Sequence, residues 1–267
     1  MQTVFAKNSE KVHKFRIVFL VAFVLMNIFY YVDAAGITDS LVARGNNFYM
    51  ERQYEQAEQQ YYRVLELGYE SGDLYYNLGN VCYKQEKLAD AILYYEKALL
   101  LKPGDVDIKQ NLILANSRIV DHIDVIPDFF LKSWMNVIRG LFSADQWAVL
   151  AIVLFLLALL SFTIYNLSHG TTVKNVGFSA GFILLMFSGI SLALMFARIQ
   201  NIRKHDTAII MIPSVNARSS PDEQSTNVFV LHEGTKVMIT DSVQTWKEIR
   251  IANGNKGWIT EDALKAI

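Results

Sequence analysis

Two long stretches without any charged residue constrain this chain more than any other feature of its sequence. Residues 147–167 and 176–197 contain no Asp, Glu, Lys or Arg, and Lys174 is the one charged residue in the segment between them. A helix of about 20 apolar residues crosses the hydrocarbon core of a bilayer, which is about 30 Å thick. The sequence therefore predicts a multi-domain membrane protein with a hairpin of two transmembrane helices over residues 147–199.

The two spans suit anchoring better than transport. Neither contains an ionisable side chain, so we expect no proton relay or ion pathway through the bilayer. The second span carries small residues four positions apart, at Gly177 and Gly181 and again at Gly189 and Ala193. Small residues at this spacing share one helix face and allow two helices to pack closely.

The N-terminal segment, residues 1–35, has the order of regions typical of a bacterial secretory signal. Four basic residues between positions 7 and 16 precede an apolar run over residues 17–31, and small residues follow. The pattern fits cleavage after Ala34, and the alternative is an uncleaved signal anchor. Either interpretation places the chain that follows outside the cytoplasm.

An internal repeat of 34 residues comes next. Gly45 and Gly79 are 34 positions apart, as are Tyr61 and Tyr95. A self-similarity of this period is typical of arrays of helical hairpins, in which a small residue is needed where two helices cross. The better copy, residues 72–105, carries eight residues that resemble those of tetratricopeptide (TPR) repeats: Tyr75, Leu78, Gly79, Cys82, Ala91, Tyr95, Ala98 and Pro103.

The resemblance to TPR repeats implies an α-helical array over residues 36–120. The first copy, residues 38–71, is weaker, because Arg44 stands where the family has leucine and Tyr69 where it has proline. A further amphipathic helix over residues 106–120 is predicted to cover the last repeat, since a solenoid needs its final apolar face capped.

Residues 121–146 are expected to link the array to the first span through an amphipathic helix. Such a helix beside a span fits the bilayer interface, and the alternative is a soluble helix that packs on protein. Ser143 and Gln146 have the spacing of a capping box and are predicted to begin the next helix. The apolar residues at helical spacing are Phe130, Trp134, Val137, Ile138 and Leu141.

The C-terminal segment, residues 206–267, changes to a β pattern. Gly, Asn, Asp and Ser separate five short runs rich in β-branched residues, which predicts a small all-β barrel. The runs are 208–212, 228–231, 236–240, 246–251 and 256–259. Four pieces resemble bacterial SH3 domains: Asn216–Pro221, Leu231–Thr235, Trp246–Ile249 and Gly254–Ile259.

The SH3 resemblance also implies roles for individual residues of the barrel. Gly234 and Gly257 are expected at turns, where glycine adopts backbone conformations that other residues resist. Ile249, Ile251 and Ile259 are expected to point inward.

The charges give conflicting evidence on orientation. An even number of spans places the array and the barrel on the same side, and the signal places them in the periplasm, at the bacterial inner (cytoplasmic) membrane. Arg198, Arg203 and Lys204 follow the second span, however, and the positive-inside rule favours cytoplasmic domains. We expect the periplasmic orientation, in which these cations contact lipid phosphates instead. The alternative is that both domains face the cytoplasm.

No motif in the sequence supports an enzyme. The five histidines are scattered without metal-ligand spacing, and Cys82, the single cysteine, occupies a repeat-core position. No phosphate-binding loop, G-x-S-x-G or H-E-x-x-H motif is present. We therefore expect no catalytic residue, metal or cofactor, and a net charge of −1 argues against a general nucleic-acid binder.

Binding to other proteins is better supported. Tyrosine and asparagine suit peptide recognition, and the alternative is that they form an ordinary solvated surface. Residues 36–105 hold eleven acidic and seven basic residues, so an acidic peptide tail is disfavoured. In TPR proteins the first helix of each repeat lines a groove, and the resemblance assigns to it Asn46, Tyr49, Tyr76, Asn77, Asn80, Tyr83, Asn111 and Arg118.

Trp246 and Trp258 are the candidate binding residues of the barrel, and the alternative is that they only pack within it.

The order of domains along the chain resembles that of the TPR proteins of the Bacteroides aerotolerance (Bat) operon. That resemblance implies a membrane scaffold beside von Willebrand A-type partner proteins, in an envelope complex linked to aerotolerance or oxidative stress. The alternative function is a cell-wall sensor that binds peptidoglycan through the barrel.

Overall fold

The computed structural model describes residues 36–123 and 130–267, so the predicted signal segment lies outside the described residues. The chain divides into two compact units, Met1–Glu70 and Ser71–Ile267. In the first unit, α1 (residues 36–50) and α2 (Tyr54–Glu66) form a helical hairpin. Gly45 lies against the ring of Tyr61, whose hydroxyl donates to Asn46 Oδ1 at 2.7 Å.

The second unit begins with another hairpin, α3 (Gly72–Lys84) and α4 (Leu88–Leu101), followed by α5 (Val106–Asn116). A Cβ on Gly79 would lie 2.6 Å from the ring of Tyr95, whose hydroxyl donates to Asn80 at 2.8 Å. The contacts of Gly45, Asn46 and Tyr61 thus recur 34 positions later. The repeat is therefore a structural one, and the chain contains a helical TPR-like array.

Two long apolar helices, α7 (Ala144–Leu167) and α8 (Thr171–Arg203), form an antiparallel pair that we call the apolar hairpin. Both are long and apolar enough to cross a membrane. The predicted capping box is confirmed, because Ser143 accepts from the Gln146 amide and the Gln146 side chain accepts from the Ser143 amide. The hairpin extends the predicted spans, since α8 begins before residue 176 and continues past residue 197.

Side chains of α8 fix its register against α7. The hydroxyls of Ser188 and Ser191 donate to the carbonyl oxygens of Ala151 and Trp147, both at 2.8 Å. A Cβ on Gly177 would lie 3.1 Å from the carbonyl oxygen of Ser161, whereas one on Gly189 would meet nothing within 4 Å. The first pair of small residues therefore lies in the helix contact, and Gly189 lies outside it.

The predicted linker helix is α6 (Phe130–Arg139), which contacts α8. Its apolar stripe, with Leu141 just beyond the helix, is exposed in the described structure. Placement of this helix at the bilayer interface stays a prediction. The exposed residues of the stripe are Phe130, Trp134, Val137 and Leu141.

The C-terminal segment folds as a seven-stranded antiparallel sheet in the order β3-β2-β6-β5-β4-β1-β7, which we call the barrel. Ile249, Ile251 and Ile259 are buried in its core, as predicted. The strands are β1 (Thr207–Ile210), β2 (Ser214–Arg218), β3 (Asn227–His232), β4 (Lys236–Val243), β5 (Trp246–Arg250), β6 (Lys256–Thr260) and β7 (Leu264–Ala266).

The two barrel glycines have different roles. Gly234 has a φ of +84° in the turn between β3 and β4, which confirms the predicted turn conformation. Gly257 was expected at a turn, and that prediction is wrong, because it lies within β6. A Cβ there would lie 2.9 Å from the Cβ of Ala217, so glycine allows the close approach of β2.

Candidate functional site

Three predicted groove residues, Asn46, Tyr49 and Asn77, belong to neither of the two side-chain clusters described below. Asn46 accepts from Tyr61 in the first unit, where Tyr49 stacks edge-on against Tyr54 with ring centroids 5.6 Å apart. Burial, and to a lesser degree Tyr49, raises the pKa of Tyr61 to about 12, so its hydroxyl stays a donor at neutral pH. Asn77 lies half-buried on α3 in the second unit.

Three predicted groove residues meet in a cluster that joins α3 to α5. The Asn111 amide donates to the Tyr76 hydroxyl at 3.1 Å and to Asn80 Oδ1 at 2.8 Å. The Tyr95 hydroxyl, from α4, donates to the same Asn80 oxygen at 2.8 Å. A carbonyl oxygen accepts two hydrogen bonds, so Asn80 holds three helices together and has no acceptor capacity left on that atom. We call Tyr76, Asn80 and Asn111 the amide cluster.

A second cluster lies at the end of α3. Arg118 pairs with Glu86 at 2.6 Å, and its guanidinium lies 5.3 Å from the ring centroid of Tyr83, within the range of a cation–π contact. Arg118 and Glu86 are exposed and Tyr83 is half-buried. Sequence reasoning missed Glu86, since the predicted groove positions came from the first helix of each repeat. We call Tyr83, Glu86 and Arg118 the arginine cluster.

Trp246 and Trp258 lie on the outer face of the barrel. Ile249 and Gly257 are paired and buried on the inner face, so Trp258, which pairs with Glu248, points to the opposite face, as does Trp246. Both tryptophans are half-buried. Glu248 lies on the same face. Its carboxylate accepts hydrogen bonds from Lys256, at 2.8 Å, and from Thr240, and these bonds lower its pKa.

A contact between the segment that follows α5 and the barrel was not predicted from the sequence. The Asp121 carboxylate accepts from the His232 amide at 2.7 Å, from the Thr235 hydroxyl at 2.6 Å and from His232 Nδ1 at 2.7 Å. The imidazole nitrogen is the donor, because a carboxylate only accepts unless it is protonated. No spacing in the sequence could link Asp121 to residues more than a hundred positions later. We call Asp121, His232 and Thr235 the docking triad.

Further contacts extend this docking. Lys236 of β4 pairs with Glu96 of α4 at 2.7 Å, and a Cβ on Gly234 would lie 2.7 Å from Ile119. The segment Leu231–Thr235, which carried part of the SH3 resemblance, therefore faces the array. Arg198 of α8 donates to the carbonyl oxygens of Leu100 at 2.7 Å and Leu99 at 3.4 Å, so the apolar hairpin also contacts α4.

Comparison with known proteins identifies both globular modules. Residues 72–105 match the tetratricopeptide repeat family, and residues 213–265 match the bacterial SH3 domain family. A comparison with curated proteins gives no match. The structure is similar in part to the crystal structure of YrrB, described as a TPR protein with an unusual peptide-binding site. That likeness has 16% identity and a TM-score of 0.30, over 62% of this chain and 76% of that one, and it carries no argument about function.

Proposed function

We propose that this chain is a membrane-anchored adaptor that binds a protein partner through the α3–α5 face of its TPR array. The observation that carries this proposal is the pair of side-chain clusters on that face. The amide cluster is fixed by hydrogen bonds, and the arginine cluster offers an exposed cation, an aromatic ring and a carboxylate. Pre-organised tyrosine, arginine and amide groups bind peptides with a small loss of conformational entropy.

The barrel would act together with the array. The docking triad holds the barrel against the segment after α5, and the Lys236–Glu96 pair holds it against α4, so a ligand of one module lies near the other. Two linked sites raise the effective concentration of the second ligand group, and individually weak contacts then suffice.

The resemblance to Bat operon proteins supplies the finer part of the proposal. It implies von Willebrand A-type membrane proteins as partners, in an envelope complex linked to aerotolerance or oxidative stress. The proposed location is the bacterial inner membrane, with the array and the barrel in the periplasm. Support for this location is the predicted signal together with the two apolar helices.

Recovery of partners with the detergent-solubilised full chain tests the groove. We choose Tyr83→Ala with Arg118→Ala, because truncating Asn80 would leave the Tyr95 hydroxyl without its acceptor. The matched control is Lys109→Ala, an exposed cation of α5 that belongs to neither cluster. We expect the double variant to lose the partner and the control to retain it. Equal recovery by the double variant and the wild type would contradict the proposal.

A second candidate function is binding of peptidoglycan by the barrel. It is favoured by the half-buried Trp246 and Trp258 on a face that also carries Glu248 and Lys256, since aromatic rings edged by polar groups suit glycan or peptide ligands. Retention of the full chain on purified peptidoglycan tests this function. Trp258→Ala should abolish retention, whereas Val228→Ala, an exposed apolar position of β3, should not.

A further inference from the structure

We propose that a cavity between α6 and the end of α8 binds the phosphate of an anionic phospholipid headgroup. The cavity has a volume of about 450 Å³. Three of its lining residues are cations, and none of those that the structure describes is acidic. Guanidinium, ammonium and amide groups are the donors that phosphate oxygens accept from in proteins. The polar lining residues are Asn136, Arg139, Arg198, Gln200, Asn201 and Lys204.

Arg198 gives the strongest indication that the cavity suits an anion. Its side chain is buried, with 9% of its surface exposed, and one terminal nitrogen donates to the carbonyls of Leu99 and Leu100. Its Nε is also buried and finds no hydrogen-bond acceptor among the described residues. An unpaired buried N–H of a charged group is costly, and an anionic oxygen in the cavity would supply the acceptor.

The cavity lies at the depth of lipid headgroups if α7 and α8 cross a bilayer. The Ser191–Trp147 hydrogen bond places Ser191 level with the start of the apolar run of α7. Arg198 follows seven residues later on α8, which is about 10 Å further along the helix axis. The polar layer of a bilayer begins where the apolar run ends, so Arg198 and its neighbours face phosphates rather than acyl chains.

The exposed stripe of α6 favours a lipid over a free phosphate. Asn136 and Arg139 line the cavity from the same helix that exposes Trp134 and Val137. A lipid could therefore place its headgroup in the cavity and its acyl chains along the stripe. A neighbouring cavity of about 500 Å³ is lined by Glu96 and Asp206 as well as by Lys236 and Arg198, so its cations are balanced by carboxylates and it suits an anion less well.

Native mass spectrometry of the detergent-purified full chain tests this proposal, with dioleoyl phosphatidylglycerol and dioleoyl phosphatidylcholine as the two probes. Each basic residue near an anionic lipid contributes about 1 kcal/mol, which is about 5-fold in affinity. The double variant Arg139→Gln with Lys204→Gln should thus bind phosphatidylglycerol about 25-fold more weakly. Both residues are exposed, so the variant should remain folded, and thermal unfolding checks this.

Arg203→Gln is the matched control, because Arg203 is an exposed cation of α8 that does not line the cavity. It should keep its preference for phosphatidylglycerol. Equal affinity for the two lipids, or an equal loss in Arg203→Gln, would overturn the proposal. Displacement of phosphatidylglycerol by inorganic phosphate at comparable concentration would show that the cavity binds a free anion, and this result would also overturn the proposal. Partner recovery does not depend on these residues, so the two proposals fail separately.

Discussion

Gly79 shows how one missing side chain sets the spacing of a helix pair. A Cβ at this position would lie 2.6 Å from two ring atoms of Tyr95. We expect Gly79→Ala to lower the free energy of unfolding by about 1–2 kcal/mol, because overpacking outweighs the gain in helix propensity. The melting temperature in detergent should fall by about 2–6 °C. In Gly189→Ala the new Cβ meets no atom of the described residues within 4 Å, so an equal fall there would contradict the explanation.

Asp121 is the residue on which docking of the barrel depends most. Asp121→Asn removes the negative charge and replaces one acceptor oxygen by an amide donor, so the charge-assisted hydrogen bonds from Thr235 and His232 cannot all persist. The loss should be about 1.5–3 kcal/mol, as for hydrogen bonds to charged groups. Hydrogen exchange at the His232 amide should become faster in this variant. Asp262→Asn, at an exposed carboxylate of the same barrel, should leave that exchange unchanged.

The same carboxylate predicts a dependence of stability on pH. Burial acts to raise the pKa of Asp121, but hydrogen bonds from Thr235 and His232 outweigh it and hold the pKa below its ordinary value of 3.8. A group with a lowered pKa stabilises the folded state above its unfolded-state pKa and loses that contribution as the pH falls through the folded-state value. The gap in melting temperature between wild type and Asp121→Asn should therefore shrink as the pH falls below about 5. A gap that widens over that range would contradict this assignment.

Within the apolar hairpin, the structure separates two glycine patterns that look alike in sequence. Gly177 and Gly181 lie against α7, whereas Gly189 faces away from it. Gly177→Leu should push the helices apart and lower the melting temperature in detergent, and Gly189→Leu should have little effect. The reverse order of the two variants would show that the helices pack through another face.

How far an element could be predicted depended on whether its signal is local. The capping box of α7 and the runs that became β3 and β4 carry their information within a few residues. The short strands β2 and β7 were missed, because β2 buries only Ala217 and its Ser, Asn and Arg residues have low β propensity. Both strands are held by their neighbours in the sheet. β2 lies between β3 and β6, whereas β7 lies beside β1. A local sequence pattern contains no information about these neighbours.

At the scale of the whole molecule, the sequence predicted the candidate groove residues only as separate positions. In the structure, most of those that lie in the second unit belong to one of the two side-chain clusters. The resemblance to TPR repeats assigned Tyr76 and Asn80 to a first helix and Asn111 to the capping helix, but it could not show that one hydrogen-bond network joins them. The docking triad and the contact of Arg198 with α4 depend on residues about 100 positions apart. Contacts at that separation follow from how modules pack, so composition and motif spacing contain no record of them.

Direct contact between the second repeat and the barrel, through Glu96 and Lys236, requires both modules to lie on one side of any membrane that α7 and α8 cross. Labelling with a membrane-impermeant maleimide tests this in cells, and Cys82 is fully buried, so background should be low. Ser117→Cys on the array and Ser242→Cys on the barrel should both react from the periplasm. His169→Cys, in the connection between α7 and α8, should stay protected. Reaction at position 169 alone would show that the array and the barrel face the cytoplasm. Reaction at only one of positions 117 and 242 would show that α7 and α8 do not form a transmembrane hairpin.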